Sequence, residues 1–418
     1  MSDNSHTTAG PFQADQGTST RASDIQGDSW FAVGSIALGV FAFVTSEFIP
    51  VGVIPEIASE LQVSLGTAGL MLTIPGLMSA VSAPLLIIAG GRIDRRAVPL
   101  ALSGLLLASN VLSSVAPNFS VMLVGRMILG CCLGGFWTVA LAAGVRLVLS
   151  GSATRSISII MSGMTCATVI GLPLGAFVGA LLTWRASFLV TSALAAAALG
   201  AQVRFLPRLP SQSNVNTGDF LTLLRCRPMQ AGLGLVALLF GSNIASYTYL
   251  APFLRTDAGL ARGALTPILL IFGIVGFLAN LAVVPLLATR LRSTLRLLTG
   301  FMMVCMFAMP MLAHLHAILV LLLAVWAISF GAMPLCLNEL TKLSASQLPE
   351  AVSALFVSTV QLSIALSLLA AAATVASVGL PANFWLGATL AAFGLLLVSL
   401  PTANAKEDAR TSFKPSPR

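Results

Sequence analysis

Charge is what this sequence has least of. Only 9% of its 418 residues are Asp, Glu, Lys or Arg, against roughly 25% in soluble domains. Lysine is scarcest: Lys342, Lys406 and Lys414 are the only three, and none follows glycine. A Walker-type phosphate loop is therefore excluded, and with it ATP as a direct energy source. No Gly-x-Ser-x-Gly elbow occurs either, so an enzyme is not expected. The six cysteines (Cys131, Cys132, Cys166, Cys226, Cys305, Cys336) lack metal-ligand or secreted-framework spacing and read as small packing residues. Histidine is nearly absent: His6 lies near the start, and His314 and His316 share one segment between spans that reads as a hydrated loop. The expected cofactor list is empty.

Apolar residues fill the gap. They make up 57% of the chain, with mean hydropathy +0.95. They come in continuous runs of about 20 residues, the length that crosses a hydrocarbon core. Backbone groups in lipid must be satisfied internally, which leaves helices or a closed barrel. Barrel strands would read as short alternating segments. Long runs rich in Leu, Ala and Gly predict an all-α integral membrane protein embedded in the lipid bilayer.

Twelve spans are expected, at 31–54, 67–89, 98–116, 120–143, 156–181, 186–206, 229–253, 264–288, 297–313, 317–338, 352–377 and 383–400. Residues 1–29 are polar and expected to be disordered, without the basic region of a signal peptide. The segment 207–228, with Pro207 and Pro210, reads as a linker between two six-helix bundles, 30–206 and 229–400. A basic tail, 401–418, follows. With both termini in the cytoplasm, the cytoplasmic loops carry thirteen basic residues and the opposite loops three, Arg185, Arg255 and Arg262. That bias is what the positive-inside rule requires, and one miscounted helix would spoil it. The net charge of +8 is thus a topology signal rather than a nucleic-acid footprint. The expected location is a bacterial-type inner membrane. The halves also echo each other, with a basic segment Arg92-Ile93-Asp94-Arg95-Arg96 after the second span and Arg290-Leu291-Arg292 after the eighth. Duplicated halves place a transport site between them near the midplane.

Two charges lie inside spans, where they are costly unless paired, protonated or facing water. Glu47 sits about 10 Å below the outer end of the first span, and Arg126 about 9 Å below that of the fourth. Burial and a nearby cation act oppositely on a carboxyl's ionisation, so opening such a site to water shifts its balance. That suits proton coupling; the alternatives are a static buried ion pair or Glu47 snorkelling to the interface. In the fifth span Gly163, Ala167, Gly171, Gly175 and Gly179 recur every four residues, with Pro173 among them. Small residues at that spacing let another helix approach closely. Trp137, Asn243, Tyr247, Asn280 and Gln361 are the candidates for lining a substrate cavity.

These segments resemble the major facilitator superfamily, and within it the drug/proton antiporter-type efflux branch that includes sugar and arabinose exporters. The resemblance covers about residues 30–400. It rests on Thr45-Ser46-Glu47-Phe48 with Val51-Gly52, Gly125-Arg126 with Gly130, Gly171-Leu172-Pro173-Leu174-Gly175, Trp184-Arg185 with Phe188, and Tyr247 to Pro252. It implies coupling roles for Glu47 and Arg126, and an antiport motif in Gly171, Pro173 and Gly175. It also implies a gating network in Arg92, Asp94, Arg95 and Arg96, although Gly91 stands where the family usually has Asp. The expected function is export of a small organic solute (a sugar, nucleoside or drug-like compound) driven by the proton gradient, by a monomer. The alternative is a proton-independent facilitator or importer of the same fold.

Overall fold

The computed structural model describes residues 29–89, 96–207, 217–260, 262–344 and 348–400. Twelve long helices run through them, and no strand is present among the described residues. They are α1 (Trp30–Phe48), α2 (Leu70–Ala89), α3 (Ala97–Ser114), α4 (Phe119–Arg146), α5 (Ala153–Leu181) and α6 (Trp184–Phe205). Then come α7 (Arg227–Thr248), a helical run Arg262–Ala308 broken by non-helical Arg290 into α8 (262–289) and α9 (291–308), α10 (His316–Ser344), α11 (Pro349–Ser377) and α12 (Leu380–Ser399). Eleven stretches among the described residues are long and apolar enough to cross a membrane. The twelfth long helix, α5, packs along α1.

Local chemistry sets several helix ends. Asn118 accepts a hydrogen bond from the Val121 amide at 3.0 Å, capping α4, and Thr183 caps α6 by accepting from Ala186 at 3.2 Å. Proline opens α7, α11 and α12, where its missing N–H costs nothing. Pro50 has the opposite effect on the first span. It removes the amide that would continue α1, so the α-helix stops at Phe48 and a 3-10 turn, Ile49–Gly52, replaces the expected end.

Helix partnership repeats with a shift of six. α1 packs on α5 and α6, and α7 packs on α11 and α12. α2 packs on α4 and α3 on α6; correspondingly the run Arg262–Ala308 packs on α10 and α12. Where the two halves meet, α2 lies against α11 and α5 against the run Arg262–Ala308, which is the same exchange of partners read in both directions. Close contacts repeat too: Gly130 of α4 faces Pro75 of α2, and Gly331 of α10 faces Gly276 of α8. The main core runs through both halves, with one smaller cluster around Trp184 and another around Phe220 at the opposite end.

Three further boundaries differ from the sequence reading. Arg290-Leu291-Arg292, expected as a loop, is helical apart from the break at Arg290 itself. The seventh span stops at Thr248, and Leu250–Thr256 is a separate short helix. The expected linker holds a helix, Thr217–Arg225, whose Phe220 and Leu223 are buried. Gly91, Arg92, Asp94 and Arg95 lie outside the described residues.

Candidate functional site

Prolines create the need that Arg126 meets. In an α-helix each carbonyl accepts from the amide four residues on. Pro50 therefore leaves the Ser46 carbonyl without its partner, and Pro75, inside α2, does the same to Met71. Arg126, fully buried on α4, donates to both. Its Nη1 reaches Ser46 O at 2.8 Å, its Nη2 reaches Glu47 O at 2.9 Å, and its Nε reaches Met71 O at 2.9 Å. A planar guanidinium with donors on three sides can serve three acceptors at once. It also sets positive charge at the carbonyl end of α1, where the helix dipole favours it. Close packing makes the reach possible. A side chain at Gly130, one turn on, would come within 2.8 Å of Pro75 Cα, and one at Gly125 would lie 2.5 Å from Ser113 Oγ.

The carboxyl of Glu47 goes elsewhere. Glu47 Oε1 accepts from Gln361 Nε2 of α11 at 3.2 Å, and both residues are buried. This bond joins the first half to the second. Glu47 and Arg126 are thus neighbours as the sequence suggested, yet Arg126 contacts the backbone of residue 47 rather than its carboxylate. The adjacent Ser46 hydroxyl donates to Ala42 O at 2.7 Å and accepts from Asn110 Nδ2 of α3 at 2.8 Å. Asn110 was not singled out from sequence; a lone amide in a span carries little signal without its partner.

The other candidates separate into groups. Asn243 is buried and accepts from Trp326 Nε1 at 3.0 Å. Tyr247, one turn on, packs against Phe272 with centroids 5.3 Å apart and against Trp326 at 6.3 Å. Both residues belong to an aromatic cluster in the second half that extends to Phe384. Trp326 ties this cluster together, and sequence reasoning missed it because Trp also serves as an ordinary lipid or core residue. Gln361 is brought to Glu47. Asn280 is buried on α8, and its Oδ1 has no hydrogen-bond partner among the described residues. Trp137, half-buried on α4, packs against the main core.

The glycine stripe of α5 faces α1. A side chain at Gly163 would strike the Ala37 carbonyl; at Gly171 it would meet Thr45 Cα at 3.3 Å, at Gly175 the Ile49 carbonyl at 2.8 Å, and at Gly179 the Val53 side chain. The stripe follows α1 turn by turn through its 3-10 end. Pro173 lies within α5, and its side chain is outside the described set. Arg96 precedes α3 and donates to Val203 O of α6 at 2.9 Å. The six cysteines are free thiols, and no cluster of metal-ligating side chains occurs among the described residues.

At the Trp184 end a clamp closes the first half. Glu60, ending the short helix Ile54–Glu60, accepts from Trp184 Nε1 at 2.6 Å and pairs with Arg185. Arg185 also stacks over Trp184 at 4.1 Å and donates to Ala116 O at 3.2 Å. The hydrogen bonds from Arg185 and then Trp184 hold the Glu60 carboxyl below its usual range.

Over 390 residues the chain is 31% identical to a Pseudomonas aeruginosa protein named transcription regulatory protein OpdE, covering 92% of this chain and 96% of that one. The sequence pattern of the Major Facilitator Superfamily matches residues 36–368, from α1 to within α11 and so across both halves. With twelve long helices paired in two matching sets of six, the chain belongs to the Major Facilitator Superfamily, a family of multi-pass membrane transporters of small solutes.

Proposed function

We propose that this transporter exports a small organic solute in exchange for protons across a bacterial inner membrane, with both termini cytoplasmic. The observation that carries the reading is the bond between Glu47 and Gln361. A buried carboxyl whose side-chain partner is a neutral amide on the other half, rather than a cation, can gain and lose a proton without breaking an ion pair. Its protonation state and the meeting of the halves are then linked, as alternating access by proton exchange requires. Arg126 holds the carbonyl end of α1 in place, so Glu47 is presented at a fixed depth. The halves, 30–206 and 229–400, rock about this point as one monomer, with Trp137, Asn243, Tyr247 and Asn280 toward the solute.

The test uses liposomes with an outside-acid gradient and a solute found by sensitivity profiling of a deletion strain. Gradient-driven solute movement is expected, and Glu47→Gln should abolish it while preserving solute counterflow. Movement that ignores the gradient, or normal exchange by Glu47→Gln, rejects the proposal; counterflow without proton movement would favour a passive facilitator.

The name of the Pseudomonas relative supports a second reading. A transporter that sets the internal level of an inducing solute controls expression without touching nucleic acid. Deletion would then change transcript levels only when that solute is present, and an effect independent of any external solute would reject it.

A further inference from the structure

We infer that the helix Thr217–Arg225 is an interfacial anchor that docks on anionic lipid headgroups while closing the seam between the two halves. Its position comes first. A single residue, Cys226, separates it from α7, and the junction is tied by Cys226 N to Leu223 O at 3.1 Å and by Gln230 Nε2 to Leu224 O at 2.8 Å. A helix fixed this closely to the start of a membrane span lies at the level of the headgroups.

Its inner face is committed. Phe220 and Leu223 are buried in one cluster with Ile87 at the end of α2, Met229 of α7, and Val352 and Leu355 of α11. The cluster draws on both halves. Its outer face is apolar too: at about 100° per residue, Leu224 and Leu221 continue the apolar arc past Phe220, and Arg225 follows at its edge. Leu221 is 58% exposed and Leu224 44%, and Arg225 and Arg227 are exposed beside them. Leu343, at the end of α10, is exposed near the same junction, where Ser344 Oγ reaches Pro228 O at 3.5 Å. Apolar side chains bordered by arginines at headgroup level match an acyl boundary under negative headgroups. The basic bias of the loops at this end of the molecule points the same way.

Hydrogen exchange of segment 217–225 tests this, in vesicles of pure phosphatidylcholine and of phosphatidylcholine mixed equally with phosphatidylglycerol. Exchange should slow on the order of tenfold in the anionic vesicles, because two arginines near a charged surface each contribute several-fold. High salt should remove the difference by screening. Arg225→Glu combined with Arg227→Glu should remove it as well, with α3 and α6 exchanging as before. Equal protection in both lipids, or protection that survives high salt, overturns the inference. Full protection in detergent alone would assign the face to protein rather than lipid and overturn it too. No transport assay is involved, so failure here is distinct from failure of proton coupling.

Discussion

Arg126 looks at first like half of a charge pair, and its neighbours show a different task. Each carbonyl it holds would cost about 1–3 kcal/mol if left buried and unpaired. Arg126→Met should therefore lower stability in detergent by roughly 3 kcal/mol or more, read from thermal unfolding. Pro50 supplies a sharper check. Pro50→Ala returns an amide to the Ser46 carbonyl, so the double variant should recover about 1 kcal/mol of the loss. Strict additivity of the two changes would show that Pro50 and Arg126 are not partners. Lysine should not rescue position 126, since an ammonium on a flexible stem cannot match the fork.

At the scale of elements, the same residue type predicts opposite outcomes depending on what faces it. Gly163→Ala would press a methyl onto the Ala37 backbone, which cannot yield without moving α1, so a loss of about 1–3 kcal/mol is expected. Among the described residues, a Cβ at Gly104 of α3 or Gly200 of α6 would meet nothing within 4 Å beyond its own helix. Alanine there should be neutral or stabilising by up to about 1 kcal/mol, through helix propensity alone. Melting temperatures of the three variants separate the cases. The clamp at Glu60 gives a pH dependence. Its carboxyl is held below the ordinary value of 4.5 in the folded protein, so its contribution is present above that pH and is lost as pH falls through the lowered value. Tryptophan fluorescence should show an acid transition below the ordinary value that Glu60→Gln removes. A transition unchanged by that substitution would place its origin elsewhere.

For the whole molecule, the proposed proton exchange by alternating access predicts that α2 and α11 part during the cycle. A Cβ at Gly76 would lie 3.6 Å from the Cβ of Ala365, within the range that a disulfide bridges. Gly76→Cys with Ala365→Cys, in a background free of the native cysteines, should cross-link on oxidation and stop transport, with activity returning on reduction. Transport that continues while cross-linked would mean that this seam stays closed throughout the cycle.

Periodicity, span length and loop charge determined by themselves that the chain is a twelve-helix membrane protein, because lipid leaves few alternatives for an unpaired backbone. They also marked Glu47, Arg126 and the α5 stripe, since a charge or a run of glycines in a span is conspicuous in one dimension. Side-chain partners were decided only by the packed structure. Gln361 meets Glu47 across 314 positions of sequence, and nothing local to either residue announces it. Arg126 reads as a partner for Glu47 until its three carbonyls appear, two of them freed by prolines visible in the sequence all along. A backbone acceptor has no letter of its own, so its demand on a distant side chain emerges only when the helices are brought together.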